Sequence, residues 1–110
     1  GAELPVIEAI KLGAPGCISA TANLNGGDIS KVINFCHDNE WEKAEDLHIK
    51  VTKVRLLFQD YAPIPAQKGL LAKKTKIGEW LNVRPPLKSI NDDKVSELAN
   101  TLNKEFGYSY

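Results

Sequence analysis

The chain has 110 residues, and its 14 Lys and Arg balance 14 Asp and Glu, so the formal net charge is zero. No basic excess is available to neutralise phosphates, which argues against nucleic acid as a partner. The apolar runs fall far short of the roughly 20 residues that cross a bilayer and no signal-peptide pattern opens the sequence, so the chain reads as soluble, with no membrane partner.

Taken in order, Leu4, Val6, Ile7, Ala9 and Ile10 predict a short helix over 4–12, with Pro5 in its first turn and Gly13 as its stop. The run from Gly13 to Asn23 then reads as a buried strand. Ile18, Ala20 and Ala22 alternate with Cys17, Ser19 and Thr21, and both sets are small or apolar, as in a strand covered on two sides. No other segment offers it a partner strand. Each buried, unpaired backbone group costs about 1–3 kcal/mol, so the chain reads as a piece of something larger. The lone strand is expected to fray, to pack as coil against helices, or to pair across copies.

Asn23 to Gly27 predicts a loop, with Asp28 as the N-cap of a helix whose stripe is Ile29, Val32, Ile33 and Cys36. From Glu40, the residues Trp41, Ala44, Leu47, Val51, Val54, Leu57 and Phe58 recur at spacings of three and four, which predicts the longest amphipathic helix. Its stretch Ile49 to Val54 favours strand by propensity, but the helical spacing runs through it unbroken. Pro63 and Pro65 break the chain, and Pro65 fits the first turn of a helix reaching about Lys74. Gly69 weakens that helix by about 1 kcal/mol relative to alanine unless a close contact requires it. Thr75 to Lys88 reads as irregular. The last helix has Asn91 as its cap, Ile90 to staple onto Val95, a stripe of Val95, Leu98, Leu102 and Phe106, and Gly107 as its end.

Three ordered segments carry a family resemblance. They are Gly13-Ala14 with Gly16-Cys17-Ile18-Ser19-Ala20-Thr21-Ala22-Asn23, then Ala62-Pro63-Ile64-Pro65-Ala66-Gln67-Lys68, then Arg84-Pro85-Pro86-Leu87-Lys88-Ser89-Ile90. Together they resemble the C-terminal portion of the dihydrodipicolinate synthase and N-acetylneuraminate lyase family, pyruvate-handling class I aldolases built on a (β/α)8 barrel. A whole barrel needs about 250 residues, so length alone excludes one here. The resemblance implies a mostly α fragment of an α/β TIM barrel. Residues 1–39 would be the end of the barrel, with the last strand and its flanking helices, and 40–110 the C-terminal helical subdomain.

Chemistry in the resembled family depends on a lysine that forms a Schiff base with pyruvate or another 2-keto acid, and the iminium serves as the electron sink for making or breaking a carbon–carbon bond. The resemblance places that lysine, a proton-shuttling tyrosine and a carboxylate-binding loop upstream of this segment, and nothing in the chain matches them. No catalytic residue and no cofactor are therefore expected here, and the chain is expected to be inactive by itself. Two supporting positions are carried over as substrate-binding candidates. At Ile18 the backbone carbonyl would turn toward the reacting lysine, and Gly1 would end the preceding strand near bound substrate. The plainer readings are core packing for Ile18 and a mobile chain end for Gly1.

Other candidates have plain readings as well. Cys17 and Cys36 lack metal or disulfide spacing and are expected to be reduced core residues in a cytoplasmic protein. His37 and His48 are expected as solvated or helix-end residues rather than metal ligands, and no metal site is expected. Lys73, Lys74 and Lys76 suit a solvated helix end. Lys68 sits on an apolar helix, yet the resemblance puts that helix outside the barrel mouth. Trp41 and Trp80 read as core or interface anchors. Within the family, Ala20 and Ala2-Glu3-Leu4 depart from the sialic acid lyases, which carry a serine and an acidic pair there. Arg84-Pro85-Pro86-Leu87 is more like relatives acting on keto-deoxy sugar acids or hydroxy-oxoglutarate. Family members are commonly tetramers, so a homo-oligomeric parent is expected. A competing reading is a non-catalytic helical interaction module that uses the Trp41 to Phe58 stripe and the last helix.

Overall fold

The structure is a computed structural model that describes residues 2–110. Five α-helices follow one another: α1 (Val6–Lys11), α2 (Ala22–His37), α3 (Trp41–Gln59), α4 (Pro63–Thr75) and α5 (Asp92–Phe106), with a 3-10 turn at Gly78–Leu81. The chain divides into two compact units, Gly1–Leu56 and Leu57–Tyr110, and the division falls inside α3.

The strand expected over 17–22 does not form: among the described residues there is no strand, and 14–19 have no regular secondary structure. A β-ladder needs a second row of amides and carbonyls, and this sequence supplies none. The segment is not covered on two sides either, since Ala20 and Ala22 are exposed and Ile18 is 88% exposed. The predicted loop at 23–27 is also absent. α2 begins at Ala22 and runs through Gly26 and Gly27 with a kink at Asn25 (φ −119°, ψ 30°). Asp28 is therefore an interior residue rather than an N-cap, and its carboxylate pairs with Lys50 on α3 at 3.1 Å.

In the first unit, Val6 and Ile7 of α1, Ile29, Val32 and Cys36 of α2, and Ala44 and Val51 of α3 form one apolar cluster, with Cys17, Trp41 and Leu47 packed against it. Each fully buried Val or Ile is worth about 1.5–3 kcal/mol, so this cluster is what holds three helices of modest individual propensity together. α3 is helical through Ile49–Val54 despite its strand propensity. The three-and-four spacing places Val51 and Val54 on the buried side at 1% exposure, and burial outweighs propensity. Trp41 is half-buried, with the Lys11 ammonium 5.5 Å from its ring.

In the second unit, α4 starts two residues earlier than expected, with Pro63 at its first turn and Ala62 as N-cap. Gly69 is buried, and a Cβ on it would meet Ile90 Cγ2 at 2.5 Å and Val95 Cγ2 at 2.8 Å. That glycine is the price in helix propensity for bringing α5 and its staple residue against α4. Asn91 Oδ1 accepts from the Lys94 N–H at 2.9 Å and Gly107 (φ +73°) closes α5. Val95, Leu98, Ala99 and Leu102 are buried and Phe106 is half-buried. The irregular stretch expected over 75–88 contains the 3-10 turn and a cis Pro85–Pro86 bond. Trp80 is on the surface at 40% exposure and is not a core anchor.

Candidate functional site

In the first unit a carboxylate is buried beneath the segment that the sequence marked as a strand. Glu3 is 0% exposed, just ahead of α1. Thr21 Oγ1 donates to its Oε1 at 2.6 Å and Ser19 Oγ donates to its Oε2. The two hydroxyls lie 3.0 Å apart. Each has one proton, and both protons are already given to Glu3, so that short separation follows from sharing one carboxylate rather than from a bond of its own.

From α3, two side chains seven residues apart, hence on one helix face, complete the site. His48 Nε2 donates to the Glu3 carbonyl oxygen at 3.0 Å, and Arg55 Nη1 stands 3.9 Å from Glu3 Oε2. Burial works to raise the Glu3 pKa. The hydroxyl bonds from Ser19 and Thr21, a backbone bond and the Arg55 charge act against it and prevail, holding the carboxyl below the usual range. Burial, reinforced by the Glu3 charge, pushes the Cys17 thiol up. Burial does the same to Cys36. Both cysteines are free thiols, and neither is set up as a nucleophile.

Pro15, Gly16, Cys17 and Ile18 line an open depression of about 470 Å³. Ile18 and Leu12 are 88% and 90% exposed, so the expectation of core packing for the Ile18 side chain fails. Hydrophobicity alone would turn Ile18 inward for about 1.5–3 kcal/mol. Two hydroxyl bonds to a charged, buried acceptor are worth about 1.5–3 kcal/mol each, and leaving that carboxylate bare would cost more still, so the polar side wins. Gly1, the second candidate, lies outside the described residues.

The histidines do more than cap helices. His48 is half-buried on the Glu3 carbonyl, and exposed His37 donates to the Pro15 carbonyl at 3.1 Å, so each fixes one end of the region before α2. No group of three His, Cys, Asp or Glu among the described residues is placed to hold a metal ion. Lys68 donates to the Asn82 carbonyl. Lys73 reaches the Tyr110 carbonyl at 3.4 Å and Lys74 lies 5.0 Å from the Tyr110 ring. Sequence reasoning missed Glu3, His48 and Arg55 as a group. The available signal was the Ser19–Thr21 pair, two hydroxyls at a spacing of two, which need a shared buried acceptor if their side faces inward.

The sequence model of the Dihydrodipicolinate synthetase family matches residues 1–105. The chain belongs to that family. It is 32% identical over 105 residues to the 4-hydroxy-tetrahydrodipicolinate synthase of Methanosarcina mazei, covering 94% of this chain and 34% of that protein. Proteins of the same name from Methanococcoides burtonii and Methanocaldococcus jannaschii are each 30% identical, over 108 and 105 residues, covering 97% and 94% of this chain. The chain spans about a third of the length of these curated relatives. The match extends across the helices that an interaction module would have claimed, so that alternative is not favoured. No helix among the described residues is long and apolar enough to cross a membrane.

Proposed function

We propose that this chain is the C-terminal part of a Schiff-base-forming lyase or synthase acting on pyruvate or a related 2-keto acid, and that it is inactive by itself. The observation that carries the reading is the combination of a family match over nearly the whole chain with coverage of only a third of each relative. The unpartnered segment 14–19 and the outward Ile18 support it, since a barrel strand deprived of both neighbours would look this way. On this reading, residues 1–39 end a (β/α)8 barrel and 40–110 form a helical subdomain packed outside it. The Ile18 backbone carbonyl borders the reacting lysine, and Gly1 borders the substrate. The iminium that the lysine forms with the keto acid is the electron sink, so no separate cofactor is required. The parent would be a cytoplasmic homo-oligomer. For the second substrate, the named relatives favour a dihydrodipicolinate-type synthase, while Arg84-Pro85-Pro86-Leu87 favours enzymes of keto-deoxy sugar acids or hydroxy-oxoglutarate.

Borohydride trapping with pyruvate tests the central point. The isolated chain should gain no mass. Addition of the lysine-bearing portion of a relative, expressed separately, should yield one reduced adduct, located on that portion. A stable adduct on this chain would show that the nucleophile had been misplaced.

A further inference from the structure

The Glu3 carboxylate is absent from the chemistry just proposed, yet it is fully buried and holds a segment that is otherwise irregular. The outward residues Ile18 and Ala20 are the more apolar, while inward Cys17, Ser19 and Thr21 include two hydroxyls, so hydrophobicity alone would place the segment the other way round. We propose that Glu3 is a positioning residue: by accepting the Ser19 and Thr21 hydroxyls together it decides which side of residues 17–21 faces inward, and so sets where Ile18 stands.

Two further contacts make the clamp directional. His48 holds the Glu3 backbone through its carbonyl and Arg55 faces the carboxylate, so Glu3 is anchored to α3 before it reaches the segment. Thr21 lies immediately ahead of α2, and its carbonyl accepts the N–H groups of Leu24 and Asn25 at 2.9 and 3.0 Å. The same residue thus ties the clamp to the first turn of α2. One carboxylate connects the start of α1, the start of α2 and α3 to a segment that no backbone ladder orders. The bearing on catalysis rests on the reading that the Ile18 backbone borders the reacting lysine; the clamp itself does not.

Cys17 lies on the clamped side and is half-buried, while Cys36 is buried in the core, so thiol labelling of this chain reads the segment and the core separately. Ser19→Ala is the gentler variant, because Thr21 still satisfies one carboxylate oxygen. It should speed Cys17 labelling about tenfold, the change in opening that loss of one charge-assisted hydrogen bond produces, with Cys36 still protected. Thr21→Val and Glu3→Gln should also speed Cys17, and Glu3→Asp should fall between wild type and Glu3→Gln. An unchanged Cys17 rate in Ser19→Ala overturns the proposal. So does acceleration in Glu3→Gln alone, which would report only the loss of charge beside the thiol, and so does equal acceleration of Cys36 in Ser19→Ala, which would make the carboxylate a fold residue and nothing more. Because labelling is read on the isolated chain, its outcome is independent of the borohydride result.

Discussion

The two units of the chain are held by different physics. In Leu57–Tyr110 the helices α4 and α5 meet through apolar side chains, with Leu70, Leu98 and Leu102 each 1% exposed or less, and the polar devices sit at helix ends, such as the Asn91 cap. In Gly1–Leu56 an apolar cluster is present too, but the region between α1 and α2 is fixed by hydrogen bonds to Glu3, itself held by His48, and from His37. Helices close their own backbone bonds and ask only for a covered face. A strand without neighbours cannot, so its order has to come from side chains.

The comparison breaks most plainly in the second unit. Leu98→Ala removes a side chain with no exposure from the α5 stripe, and a cost of about 2–5 kcal/mol is expected. Urea unfolding followed by circular dichroism should show the midpoint fall. A loss well under 1 kcal/mol would mean that this stripe is not a packed core. In the first unit, Thr21→Val keeps the shape of a buried residue but deprives Glu3 of a donor, with an expected cost of about 1–3 kcal/mol.

Acid probes the first unit through Glu3. The Glu3 pKa is lowered in the folded chain, so the carboxylate's contribution is complete above its unfolded pKa and is lost as pH falls through the folded value. Stability of wild type should therefore decline below the usual carboxylate range more steeply than that of Glu3→Gln. Equal slopes would show that the clamp is not what titrates.

What was legible in the sequence follows the same division. The amphipathic spacing of α3 and α5, the Asn91 cap and the Gly107 stop all lie in local pattern, and each forms where expected. The family was legible too, because the three motif segments are short runs read without knowing any contact. The strand over 17–22 was misread for a physical reason: alternation and small size describe what a segment needs, and partners decide whether it obtains it. The loop at 23–27 was misread because Asn25, Gly26 and Gly27 are poor helix formers, yet the turn that Thr21 anchors carries α2 through them with only a kink. Glu3 was passed over because its partners are 16 and 18 residues away and its importance depends on complete burial.

Gly69 gives the smallest and most discriminating test, since two effects of opposite sign meet there. Alanine in the middle of α4 should gain about 1 kcal/mol from helix propensity. Its Cβ would sit 2.5 Å from Ile90 Cγ2 and 2.8 Å from Val95 Cγ2, distances at which a neighbour must move. Overpacking of this kind costs about 1–3 kcal/mol, so the net should be destabilisation by about 1 kcal/mol. Ile90 is only half-buried on the stretch before α5, which makes it the neighbour free to yield. Adding Ile90→Ala removes the nearer clash, so the double variant should lose less than the sum of the two single losses. Strict additivity would place the contact elsewhere and leave the glycine in α4 without its structural reason.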